Sequence, residues 1–179
     1  MRCVGCSRAR GGRSGPEQPF TTDGPPIRAV GGDGGAPRVP VQPAFELFEV
    51  TADVGITARG PTVEDAFAQA ARGMYAVMVE LSGVRERESR EVSVEAEDLE
   101  HLLERWLLEL LFLTESERLL FGRFEVSLND GCSLRGIAYG EVIDPKWHLL
   151  GPEVKAITRH QLAVRKIDGG CEVTVIFDI

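Results

Sequence analysis

The chain has 179 residues, 43% of them hydrophobic and 27% charged, with a formal net charge of −8. That balance suits a single folded domain in solution, and no apolar run approaches the roughly 20 residues that a membrane-spanning helix needs. Charge is unevenly divided: residues 1–43 hold six Arg against three acids, whereas residues 44–179 carry fourteen basic and twenty-five acidic side chains, a net charge of −11. A surface of that sign repels phosphate backbones, so direct nucleic-acid binding is not expected, and a metal ion or a basic protein is the natural complement.

Residues 1–43 are rich in Gly and Pro and show neither helical nor strand periodicity. They read as a disordered tail, with a start of translation further along as the other reading, and the folded domain is expected over residues 44–179. The beginning of the chain has no apolar leader, which argues against secretion. Cys3, Cys6, Cys132 and Cys171 are too scattered for a disulfide framework, and a reducing cytoplasmic setting suits them. Cys3-Val-Gly-Cys6 has the spacing of half a zinc site, but no second Cys or His pair follows at a matching distance.

From Phe45 the pattern becomes regular. Phe45 to Thr51 reads as a strand, Ala52-Asp53 as a break, and Val54 to Arg59 as a second strand. Thr62 then caps a helix, with Asp65 completing a signal like a capping box. Val63, Ala66, Phe67, Ala70, Ala71, Met74, Val77 and Met78 recur on its apolar face. A polar linker around Arg85 to Arg90 leads to an alternating strand, Glu91 to Ala96, and Asp98 caps a second helix.

That helix carries Leu99, Leu102, Leu103, Trp106, Leu107, Leu110 and Leu111 in a stripe wide enough to cover a sheet, so Trp106 is expected to pack rather than to touch a ligand. Glu115-Ser-Glu117 reads as a solvated face. Strands over Phe121 to Leu128 and Ser133 to Val142 flank Asn129-Asp-Gly131, a hairpin signal. After a break at Asp144-Pro145, Val154 to Lys166 is expected to pair with Glu172 to Asp178 across Asp168-Gly-Gly170. The predicted fold class is α+β, a two-layer α/β sandwich in which a mostly antiparallel sheet is covered by two helices.

The last strand ends by placing the Asp178 side chain beside the α-carboxylate of Ile179, and crowded carboxylates attract a cation. Taken singly, each candidate has a plainer reading. An Asp before Val-Gly, as at Asp53, is more commonly a turn residue, and Asp178 a solvated strand end. His160 and His148 are more commonly structural histidines than ligands. Glu97-Asp98 is accounted for by helix capping.

The segment Glu49-Val-Thr-Ala-Asp-Val-Gly-Ile56 begins a resemblance to the archease family. It continues through Glu95-Ala-Glu-Asp-Leu99, Leu103 to Phe112, Gly151-Pro-Glu-Val-Lys-Ala-Ile-Thr-Arg-His-Gln-Leu162 and the closing Phe177-Asp-Ile179. The match departs from the family pattern at Val50, Pro152 and Arg159. The resemblance implies an accessory factor rather than an enzyme, a partner of RtcB-type RNA ligases. Those ligases join a 2′,3′-cyclic-phosphate or 3′-phosphate RNA end to a 5′-hydroxyl through a guanylylated histidine, in tRNA splicing or RNA repair. It implies promotion of ligase guanylylation and repeated turnover. It also implies a divalent ion, Ca²⁺ or else Mg²⁺ or Mn²⁺, held by Asp53, Asp178 and the terminal carboxylate of Ile179. Lys155 matches a position linked to activity; Asp98 and His160 are weaker site candidates. A metal-dependent phosphohydrolase using the same carboxylates and a general protein-binding chaperone are the alternative functions.

Overall fold

The computed structural model describes residues 44–50 and 53–179, and the side chain of Val50 is not among what it describes. The expected tail over residues 1–43, the Cys3/Cys6 pair, Thr51 and Ala52 therefore lie outside the described residues. Seven strands and two α-helices follow in the order β1 (Phe45–Val50), β2 (Asp53–Gly60), α1 (Val63–Met78), β3 (Glu88–Glu95), α2 (Leu99–Glu117), β4 (Leu119–Asn129), β5 (Ser133–Val142), β6 (Ala156–Ile167) and β7 (Gly170–Asp178). A single turn of 3₁₀ helix, Leu81–Gly83, sits between α1 and β3.

The α+β class holds, but the strands divide into two sheets instead of one. β1-β2-β7-β6 form a four-stranded sheet and β3-β5-β4 a three-stranded one, with every pairing antiparallel. The helices join them: α1 packs on β2 and β7 of the first sheet and on β4 of the second, and α2 packs on β3 and β6. Among the described residues no helix is long and apolar enough to cross a membrane.

Both helices start where a cap was expected. The Thr62 hydroxyl oxygen accepts from the Asp65 backbone N–H at 3.1 Å, and the hydroxyl donates to the Asp65 carboxylate at 2.8 Å. Asp98 accepts from the His101 backbone N–H at 2.8 Å, so each helix has one of its four orphan donors satisfied. The strands of the second sheet run longer than their apolar alternation. β3 begins at Glu88, inside the expected linker, because Arg90 on this edge strand is held by carboxylates of Glu88 and Glu117 at 3.1 and 2.7 Å.

The core joins α1 to α2 through Tyr75, which is wholly buried and donates its hydroxyl to the Leu110 carbonyl at 3.0 Å. Its ring meets Phe121 edge-on and stacks on Phe124, which in turn meets Trp106 edge-on. Trp106 is fully buried, as expected. It lies against Gly136 so closely that a Cβ there would stand 2.5 Å from the indole, so this sheet position accepts no side chain.

Candidate metal centre

Asp53 is not in a break between strands; it is the first residue of β2, in register with Val50 of β1 and with Asp178 of β7. Directly opposed residues of an antiparallel pair have Cβ atoms about 4.5–5.5 Å apart, so the two side chains leave the sheet from neighbouring points on one face. Along β2, Ile56 and Ala58 point into the core, which leaves Asp53, Gly55, Thr57 and Arg59 on the outer face. On β7 the buried Val173, Val175 and Phe177 likewise leave Asp178 on that outer face.

The neighbouring row shows how this corner is built. Phe48, Gly55 and Ile176 lie side by side across β1, β2 and β7. A Cβ on Gly55 would stand 2.1 Å from the Phe48 ring, so the ring lies over the glycine where any side chain would exclude it. Ile176, although on the outer face, is only 1% exposed. An apolar platform therefore floors the sheet next to the carboxylate pair.

Lys155 and Ile179 complete the group. The Lys155 backbone N–H donates to the Asp178 carbonyl at 2.8 Å, and Ala156, the next residue, is in register with Asp178. Lys155 is exposed, while the Ile179 side chain is partly buried against the core and so fixes the position of its own main chain. Strand pairing thus brings Asp53, Asp178, Ile179 and Lys155 to one end of the first sheet. Two carboxylates of like charge directly opposite each other are destabilising unless a cation offsets them, and an all-oxygen donor set suits a hard divalent ion.

The two weaker candidates are engaged elsewhere. Asp98 is the cap of α2, and its carboxylate also meets the His101 ring nitrogen at 2.8 Å. The His101 backbone N–H, then its ring, hold the Asp98 carboxyl below its ordinary value. His160 is neither a structural histidine nor placed beside Asp53. It is exposed, in a bulge where Arg159, His160, Gln161 and Leu162 face Val175, with Gln161 in the left-handed region at φ 59°. Its described side-chain contact is with Gln161 at 3.4 Å. Among the described residues no three His, Cys, Asp or Glu side chains form a cluster that could hold a metal ion, at this corner or elsewhere.

Two buried charge groups were not expected. Glu104, 7% exposed on α2, accepts from Arg159 Nε at 2.8 and 3.0 Å. Glu141, 6% exposed, accepts from the Arg85 backbone N–H at 2.8 Å and lies 3.2 Å from His148 Nε2. His148 is indeed the structural residue expected: its Nδ1 accepts from the Asp144 backbone N–H at 3.0 Å, which puts the ring proton on the nitrogen facing Glu141. Helical and strand periodicity carries no signal for either acid, because an isolated Glu in a sequence reads as solvated.

The molecule is thus an α+β protein of two antiparallel sheets joined by two helices, with a paired-carboxylate corner at the end of one sheet. Its sequence matches the Archease protein family (MTH1598/TM1083) over residues 45–179. It is 39% identical over 136 residues to the archease of Sulfolobus acidocaldarius, a match covering 75% of this chain and 98% of that one. It is 43% identical over 129 residues to the archease of Thermococcus kodakarensis, covering 70% and 91%. The solution structure of protein 1598 from Methanobacterium thermoautotrophicum superposes with a TM-score of 0.69 at 41% identity, over 76% of this chain and 99% of that one. A crystal structure from Thermotoga maritima, described as an archease and possible chaperone, shares the fold with a TM-score of 0.51 at 20% identity over 74% and 94%. This chain belongs to the archease family.

Proposed function

We propose that this protein is a non-catalytic, metal-binding activator of an RtcB-type RNA ligase, acting in the cytoplasm in tRNA splicing or RNA repair by promoting ligase guanylylation and multiple turnover. The observation that carries the reading is the register of Asp53 against Asp178 beside Ile179 and Lys155. In the reading, Asp53 and Asp178 hold a divalent cation, Ca²⁺ before Mg²⁺ or Mn²⁺, together with the Ile179 α-carboxylate. Ca²⁺ takes about six to eight oxygens, so three carboxylates leave room for water or for a group from the partner. A bound ion would supply concentrated positive charge at an otherwise acidic corner.

The chain's own residues do the rest. The Lys155 backbone, tied to the Asp178 carbonyl, keeps its ammonium on a short tether from the carboxylates, where it is free to reach a phosphate or an acidic group of the ligase. The acidic surface of residues 44–179 steers the protein toward a basic ligase surface and away from RNA, so its effect is exerted on the enzyme. The test is multiple-turnover RNA ligation by the matching ligase with GTP, comparing no addition, this protein and Asp178→Ala. Stimulation by wild type and none by the folded variant is the expected result. Equal stimulation by both would remove the carboxylate corner from the activity, and none by wild type would remove the ligase.

A further inference from the structure

Helix α2 has two apolar faces, and the sheets use only one. Leu102, Leu103, Trp106, Leu107 and Leu110 are buried, while Leu108 and Phe112 on the opposite side are 41% and 58% exposed. Arg105, Leu108, Phe112 and Glu115 succeed one another at intervals of three, four and three residues, so they form one outward stripe along the helix. All four are exposed, and neither Arg105 nor Glu115 forms an ion pair with another described residue.

The stripe is its own complement when reversed. A two-fold axis crossing α2 at the level of Leu110 places Leu108 opposite Phe112 of a second copy, and Arg105 opposite Glu115 of that copy, each pairing occurring twice. We propose that this stripe is a self-association surface through which two copies of the chain pair with their α2 helices antiparallel. A second copy is the occupant that the charges select. The stripe has one Arg and one Glu and no net charge, so a basic partner gains nothing there, whereas an inverted copy gains two ion pairs around an apolar centre.

The pairing is weak. Its four apolar side chains fall short of the roughly 1,200 Å² that stable interfaces bury, and the acidic surface of residues 44–179 repels its copy. Glu109, on the flank of the stripe, falls near Glu109 of the second copy and opposes the contact further. Dissociation constants between about 1 µM and 1 mM are expected.

The test is sedimentation velocity of the full chain from about 5 to 500 µM, a range that spans such an equilibrium. The wild type is expected to shift from monomer toward dimer as concentration rises, and Phe112→Glu to remain monomeric. Arg105→Glu and Glu115→Arg each place like charges together and weaken association by about tenfold or more, whereas the double variant R105E/E115R restores it. All four positions are on the surface, and circular dichroism checks that each variant is folded. A monomeric wild type across the whole range, or a double variant no better than the singles, overturns the proposal. Loss of ligase stimulation in Phe112→Glu with wild type monomeric would instead assign the stripe to the ligase.

Discussion

Asp53 and Asp178 stand directly across from each other on neighbouring strands, two like charges at one register position of β2 and β7. Such a pair costs about 0.2–1 kcal/mol, so with chelator present Asp53→Asn and Asp178→Asn are each expected to melt at or slightly above the wild-type temperature. Calcium reverses the order. At a hundred times its dissociation constant a ligand adds about 2.7 kcal/mol to the folded state, a rise of roughly 5–10 °C for a domain of this size. Calorimetry with and without Ca²⁺ measures both, and an equal calcium response in the Asn variants would exclude the pair as ligands.

Gly55 supports that corner by being absent as a side chain. A methyl group there would stand 2.1 Å from the Phe48 ring, well inside contact distance. Gly55→Ala is expected to destabilise the protein by about 1–3 kcal/mol, the usual cost of overpacking, and to weaken calcium binding by disturbing the strand that carries Asp53. Adding Phe48→Ala should recover part of the stability. Denaturant melts of the single and double variants decide it, since a fully additive loss would mean the ring and the glycine are not coupled.

How much of this was legible in the sequence follows from what periodicity records. Alternation and helical spacing tell which way each side chain points, so both helices, their caps at Thr62 and Asp98, and the seven strands were readable. They do not tell which strands pair. The division into two sheets depends on β3 crossing α2 to join β5, and the opposition of Asp53 to Asp178 depends on strands from the two ends of the domain meeting. That site was reached through family resemblance in the motifs around both residues. Glu104, Glu141 and Ile176 went unread because each becomes buried through contacts with elements distant in sequence, and Phe48 because strand alternation does not show that its ring lies across Gly55.

Tyr75 offers a spectroscopic handle on the core. Burial pushes its phenol well above the usual tyrosine range, an effect that the hydrogen bond with Thr114 only partly offsets. The folded-state value lies above the unfolded one, so the neutral phenol stabilises the fold fully below about pH 10 and that contribution is lost as pH rises further. The chain has two tyrosines, and in Tyr139→Phe the remaining one is Tyr75. Its phenolate absorbance is expected to appear together with alkaline unfolding followed by circular dichroism. Ionisation in a protein that is still folded would show that the hydroxyl is open to solvent.

Glu141 contributes to the acid limb. Burial pushes its carboxyl up, but the Arg85 backbone N–H, His148 and Arg87 together outweigh that and hold it below the ordinary glutamate value. A folded-state value below the unfolded one means that the contribution is present above the unfolded glutamate value, near pH 4.3, and is lost as pH falls through the folded value. Glu141→Gln removes this dependence while keeping an oxygen able to accept from Arg85. The variant is expected to be about 1–3 kcal/mol less stable at pH 7, where a charged acceptor has become a neutral one beside His148 and Arg87. Its stability should then change less than that of wild type between pH 6 and pH 3, so the two curves converge on acidification. Urea unfolding at several pH values tests this, and parallel curves would mean that the acid limb is set by other carboxylates.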